Sequence, residues 1–199
     1  MAKKSEARRE AILAAAAHEF SERGYEGASM SAIVARAGGS KQTIYNHFSS
    51  KEELFIEVAE SALGPVLDAV FDELSDEGNL RTSLIRYGES FLSFKQRPEV
   101  IAIIRLAYGE SGRSNIGRMV HERGKLRGVR KASAFFAESI RAGKLRPGNP
   151  EVMALHLIAL LDAELTEPVI FRVREPANAK ENAEVVSRAI DVFLAAYGP

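Results

Sequence analysis

The residues best suited to chemistry lie in one short segment, Ser29 to Lys51, which reads SMSAIVARAGGSKQTIYNHFSSK. Near its end Ile44 and Phe48 are four positions apart, so on a helix they share one face and suit a core. The opposite face then carries Lys41, Gln42, Tyr45 and Asn46, with Thr43 and His47 at the flanks. A short helix whose outer face is almost entirely hydrogen-bonding groups is what a reader of base edges in a DNA major groove requires. The preceding stretch supplies Ala32, Ala35, Ala37, Gly38 and Gly39, small enough for two helices to pack closely across a turn. Ser29 can cap the first of these helices and offer its hydroxyl and the helix amides to a phosphate. Lys51 begins a further helix, where backbone amides add to its positive charge. Taken singly, each residue also has a plainer reading. Tyr45 can lie half-buried with its hydroxyl in solvent, Lys41 and Lys51 can be surface lysines, and His47 can cap its own helix.

No other constellation competes. The histidines are His18, His47, His121 and His156, and none pairs with another at metal-ligand spacing. His18-Glu19 and His121-Glu122 begin like a zinc-protease helix, but Glu22 and Lys125 stand where the second histidine would be. Gly38-Gly39 is too short for a phosphate-cradling loop, and nothing marks a nucleophile elbow. With no cysteine, disulfides, thiol catalysis and cysteine-bound metals are excluded. The expectation is a protein that is not an enzyme, with no metal and no cofactor.

The segment resembles the DNA-binding signature of the TetR (tetracycline-repressor) family. The likeness is carried by Phe20, Arg23-Gly24-Tyr25, Gly27, Ser29, Ala37-Gly38, Ser40-Lys41, Tyr45, His47-Phe48 and Ser50-Lys51-Glu52-Glu53-Leu54-Phe55. It covers about the first quarter of the chain, and as a combined motif it is specific. Gly39 departs from it, standing where the family usually has an aliphatic wedge between the two helices. By this resemblance Gln42, Thr43, Tyr45 and Asn46 read bases, Lys41 reaches base or phosphate, and Tyr45, His47 and Lys51 contact the phosphate backbone. It also implies a homodimeric transcriptional repressor on a palindromic double-stranded operator, controlled by a small-molecule effector. The apolar walls of the central helices suit a hydrophobic or aromatic one, and the absence of cysteine agrees with a cytoplasmic protein with no membrane partner.

The elements that position these residues read as all-α, about nine helices, with a helix-turn-helix domain over 1–51 and a ligand-binding and dimerisation domain over 52–199. Helix one covers about 5–23, its apolar Ile12, Leu13, Ala16, Ala17 and Phe20 on one face. The Lys3-Lys4 and Arg8-Arg9 start looks like a signal peptide, but Glu6, Glu10 and the very short apolar run favour the helix. Gly24 suits a helix end, Ser40 caps helix three over 41–47, and Ser50 with Glu53 forms a capping box for a long helix four. Gly64-Pro65 should kink or split that helix. Further helices are expected over 80–95, 98–108, 116–142 (weak near Gly124 and Gly128), 149–171 and 181–197. Apolar runs are broken by charge well short of the ~18 residues that span a bilayer. Lys+Arg and Asp+Glu both number 27, so net charge is silent, but residues 1–51 hold eight basic against five acidic side chains. A basic head on an acidic body suits a DNA-binding end joined to a sensing end.

Candidate effector contacts are Tyr87, Phe91, Phe94, Arg105, Tyr108, Phe135, Phe136 and His156, although aromatics at helical spacing are more often simply core. Helix 98–108 is apolar nearly all round and should be buried, with Arg105 paired to Asp162 or Glu164 if no ligand claims it. The dimer stripe is read as Leu157, Leu160, Leu161 and Leu165 with Val186, Ile190, Phe193 and Leu194, some of them shared with the subunit's own core.

Overall fold

A computed structural model describes residues 2–38, 40–75 and 78–199. Gly39, the departure from the family pattern, and Asp76-Glu77, in the stretch ahead of the helix expected over 80–95, lie outside the described residues. The rest forms helices and connecting turns, without a strand among the described residues. The eleven α-helical segments include three of only five residues, and those over 80–95, 98–109 and 179–197 lie within two residues of the expected bounds. Two compact units emerge: residues up to Pro65 with 112–116, and residues 66–111 with 117–199.

The first unit is built from α1 (Ala2–Gly27), α2 (Met30–Ala37), α3 (Lys41–Tyr45) and α4 (Lys51–Asp72) as far as Pro65. Its core joins Ile12, Ala16, Phe20, Ile33, Ile44, Phe48 and Leu54. Gly24, at φ 67°, bends α1 where a side chain would be strained, and one more helical turn follows to Gly27. Helix α4 runs unbroken through Pro65, so the expected split is absent.

The second unit contains the end of α4, α5 (Leu80–Lys95), α6 (Pro98–Gly109), α7 (Ile116–Val120) after its first residue, α8 (Leu126–Arg141), α9 (Pro150–Asp162), α10 (Thr166–Ile170) and α11 (Ala179–Tyr197). The chain passes from α7 to α8 through a π-helical turn over His121–Lys125, one of the two expected weak points. The other, Gly128, stays helical for a packing reason. A Cβ there would lie 2.7 Å from the Phe71 ring, which occupies that space. Beside it Asp68 accepts from Arg127 at 2.6 and 2.7 Å and from Lys131 at 2.5 Å. Chiefly the Lys131 hydrogen bond, helped by the Arg127 charge, holds the Asp68 carboxyl below its ordinary range. This link is therefore intact above that range and loosens as pH falls below it.

Asn149 caps α9 by accepting from the Glu151 and Val152 amides, with Pro150 at the first turn. That helix stops at Asp162 rather than near 171: residues 163–165 form a turn and the separate α10 follows, with Thr166 Oγ1 donating to Asp162 at 2.7 Å across it. Helix α11 begins at Ala179, two residues earlier than expected, since Asn178 supplies an N-cap to Glu181. Helix α6 is not buried all round: Val100 and Ile101 are, while Tyr108 is 67% exposed.

Candidate nucleic-acid interface

Helix α3 takes its position from caps and clamps on every side. Ser29 Oγ accepts from the Ala32 amide at 3.1 Å and starts α2. Ser40 Oγ accepts from the Thr43 amide at 3.1 Å and starts α3. Ser50 Oγ accepts from the Glu53 amide to start α4, and Glu53 reaches back to the Ser49 amide and hydroxyl, a capping box displaced by one residue. Arg8 donates to the carbonyls of Ala37 and Gly38, closing the end of α2 just before the turn. Arg9 pairs with Glu57 and lies over the Phe48 ring. Arg8 and Arg9, read in the sequence only as part of a basic head, thus hold the helix pair together. Nothing local to them signals this, because both sets of partners are far along the chain.

Ile44 and Phe48 are buried, and Lys41, Gln42, Tyr45 and Asn46 are exposed, with Thr43 and His47 between. The α-helix ends at Tyr45, two residues short of expectation, with Asn46 as its C-cap. Gln42 Nε2 donates to Asn46 Oδ1 at 3.1 Å. This leaves one Gln42 N–H, its carbonyl and the Asn46 amide group facing outward as a preset donor–acceptor array. Ser29 is exposed. Lys51 is less free than its position suggested. Its ammonium donates to the carbonyls of Ala28 at 2.8 Å and Glu26 at 3.4 Å and lies 4.4 Å from the Tyr25 ring centroid. It ties the start of α4 to the residue before Ser29.

The candidate effector residues do not form one set. Tyr87, Phe91 and Phe136 are buried, Phe94 and Phe135 partly so. Tyr87 and Phe91 are neighbours at 5.7 Å between centroids, whereas Phe136 stacks on Phe193. Phe94 lines an open cleft of about 380 Å³ between α4 and α5. His156 is exposed and hydrogen-bonds the Tyr197 hydroxyl. Arg105 pairs with neither Asp162 nor Glu164. It donates from Nε to the Ile170 carbonyl and from Nη2 to the Val169 carbonyl, both at 2.7 Å, capping the C-terminus of α10. Asp162 is instead 3.4 Å from Lys95, and Glu164 accepts from Arg188. Arg105→Met should then lower stability by about 1–3 kcal/mol, because the Ile170 carbonyl loses its donor while that of Val169 keeps the Arg172 amide at 3.1 Å, lowering Tm by roughly 2–4 °C per kcal/mol. An unchanged Tm by calorimetry would show that the Ile170 carbonyl finds another donor.

In the expected dimer stripe, Leu157, Leu161, Leu165, Val186, Ile190 and Phe193 are all within the subunit's own core, and Leu160 and Leu194 pack against it. The large apolar residues left outside on the same helices are Val152, Leu155 and Val192. Among the described residues no helix is long and apolar enough to cross a membrane, and no group of metal ligands occurs.

Comparison with known proteins fits this geometry. Residues 12–58 match the family described as bacterial regulatory proteins, tetR family, and residues 82–199 match the AefR-like transcriptional repressor C-terminal domain. The chain is 36% identical over 104 residues to the HTH-type transcriptional regulator YvdT of Bacillus subtilis, covering 52% of this chain and 54% of that protein. It therefore spans about half the length of that relative. Among solved structures, a TetR-family transcriptional regulator from Mesorhizobium loti superposes with a TM-score of 0.83 at 28% identity over 98% of both chains. The flavonoid-responsive regulator FrrA gives 0.77 at 25% identity, again over 98% of both.

Proposed function

The chain belongs to the tetR family of bacterial regulatory proteins, and from that membership we propose that it is a DNA-binding transcriptional repressor released from its operator by a small apolar effector. The observation that carries the reading is α3, a capped helix with Ile44 buried beneath it and Lys41, Gln42, Tyr45 and Asn46 exposed together. Gln42, Asn46 and Thr43 read base edges in the major groove, Lys41 either base or phosphate, and Tyr45, His47 and the Ser29 helix start grip phosphates. A single short helix reads too few bases for specificity, so two subunits act on a palindromic site. A gel shift against the DNA upstream of the chain's own gene tests this. A discrete complex that outcompetes random DNA is expected, and binding no better than to random DNA would overturn the reading.

Lys51 separates two roles. If its ammonium exchanges a carbonyl for a phosphate on binding, Lys51→Ala weakens binding to every sequence and lowers the salt slope by about one unit. If it serves only as the clamp seen here, thermal stability falls and the slope is unchanged. Measurement of log Kd against log salt for both proteins decides.

The effector reading draws on the buried aromatic interior of the second unit and on the likeness to FrrA, whose name describes a flavonoid response. The expected effector is flat, largely apolar and aromatic. Because Arg105 is committed to two carbonyls, an acidic effector has no cation waiting there. Helix α4 supplies residues to both units, so an effector that displaces its last turns can alter operator affinity. A tenfold change needs only ~1.4 kcal/mol of coupling.

A further inference from the structure

Among the described residues the second unit buries few polar side chains, and nearly all are satisfied. Ser83 donates to the Ser75 carbonyl, Ser139 to that of Phe135, and Asn182 accepts from Gln96. The exception is Tyr87. Its side chain has no accessible surface, and its hydroxyl has no hydrogen-bond partner among the described residues. Phenylalanine would fill the same volume without stranding a donor, so the hydroxyl has a cost in the free protein. Its ring lies between those of Phe71 and Phe91, 5.5 and 5.7 Å away.

We propose that the Tyr87 hydroxyl is the specificity-determining hydrogen-bond donor of the effector site, and that it selects a flat apolar molecule carrying a neutral acceptor such as a ring carbonyl. This rests on the effector-controlled reading above and narrows its ligand chemistry. Burial, reinforced by the charge of Asp162, raises the phenol far above its ordinary range, so it remains a donor at all physiological pH. The same carboxylate disfavours an anionic ligand. The cations over the flanking rings are both committed: Lys95, over Phe91, faces Asp162, and Lys131, over Phe71, faces Asp68. A neutral carbonyl oxygen meets both conditions. Because Tyr87 is closed off, a neighbour must yield to admit the ligand. Phe71 is placed to do so, one residue from the end of α4 and seated against the bare backbone of Gly128.

The test compares flavone, which has a ring carbonyl, with flavan, which lacks it, on the full chain and on Tyr87→Phe. By calorimetric titration the natural chain should bind flavone ~10-fold more tightly than flavan, the worth of one buried hydrogen bond. Tyr87→Phe should lose that preference while its own Tm stays level or rises. A preference that survives in Tyr87→Phe, no preference in the natural chain, or binding of neither probe would overturn the proposal. So would a Tyr87→Phe protein of lower Tm, since the hydroxyl would then have a partner already. Operator binding measured in parallel separates this from effector control. A Tyr87-dependent flavone preference without operator release keeps the site and removes the control. Flavone-driven release that is undiminished in Tyr87→Phe does the reverse.

Discussion

Gln42→Ala should weaken binding to the best operator by ~1–3 kcal/mol per subunit while leaving affinity for random DNA nearly unchanged. The reason lies in how Gln42 is held. Its amide donates one N–H to Asn46 Oδ1 at 3.1 Å, so the two side chains form a single array rather than two loose groups. Binding then freezes little that is not already ordered, and the lost contact carries base information rather than charge. Asn46→Ala should show the same pattern and should also free Gln42, so the double substitution should cost less than the sum of the singles. Lys41→Ala is the contrasting control, because removing a cation weakens operator and random DNA alike. Competition binding at one fixed salt concentration makes the measurement. Equal losses on operator and random DNA for Gln42→Ala would place base reading elsewhere on α3.

Features governed by neighbours a few residues away were legible in the sequence. Ser29, Ser40, Ser50 and Asn149 each cap the helix assigned to them, because a cap satisfies amides only two or three residues on. The two faces of α3 followed equally well from the spacing of Ile44 and Phe48. What failed depended on distant partners or on layer. The Arg105 guanidinium finds carbonyls 64 and 65 residues away, where composition suggested only carboxylates. Helix α6 is apolar enough to be buried, yet periodicity cannot say how much of it its neighbours cover. The leucines of α9 show the same limit. Their spacing marks an apolar stripe, but not whether it faces the subunit's own core or a second copy. Tyr87 stood among the effector candidates simply as an aromatic; that its hydroxyl is stranded is visible only once every neighbour is in place.

Leu155→Glu combined with Val192→Glu should convert the protein from dimer to monomer and lower operator affinity by roughly 10³-fold or more, the scale separating specific from non-specific binding. The proposed contact uses α9 and α11, which pack side by side, but through the residues their core leaves over. Leu155 is 37% and Val192 53% exposed, and Val152 and Ala159 continue the α9 stripe at helical spacing. In a two-fold contact the same patch meets itself, so each carboxylate is brought toward its symmetry mate and toward apolar surface. Because both positions are exposed in the subunit, the substituted chain should keep its helix content and melt near the natural Tm. Phe193→Ala is the counterpart: Phe193 is wholly buried, and its loss should cost ~3–5 kcal/mol of subunit stability. Sedimentation at micromolar concentration and circular dichroism on the same samples distinguish the two. A monomeric natural chain would overturn the assembly. A dimer that survives both glutamates would move the contact off this face, leaving the exposed Tyr108, Phe171 and Val173 as the next surface to substitute.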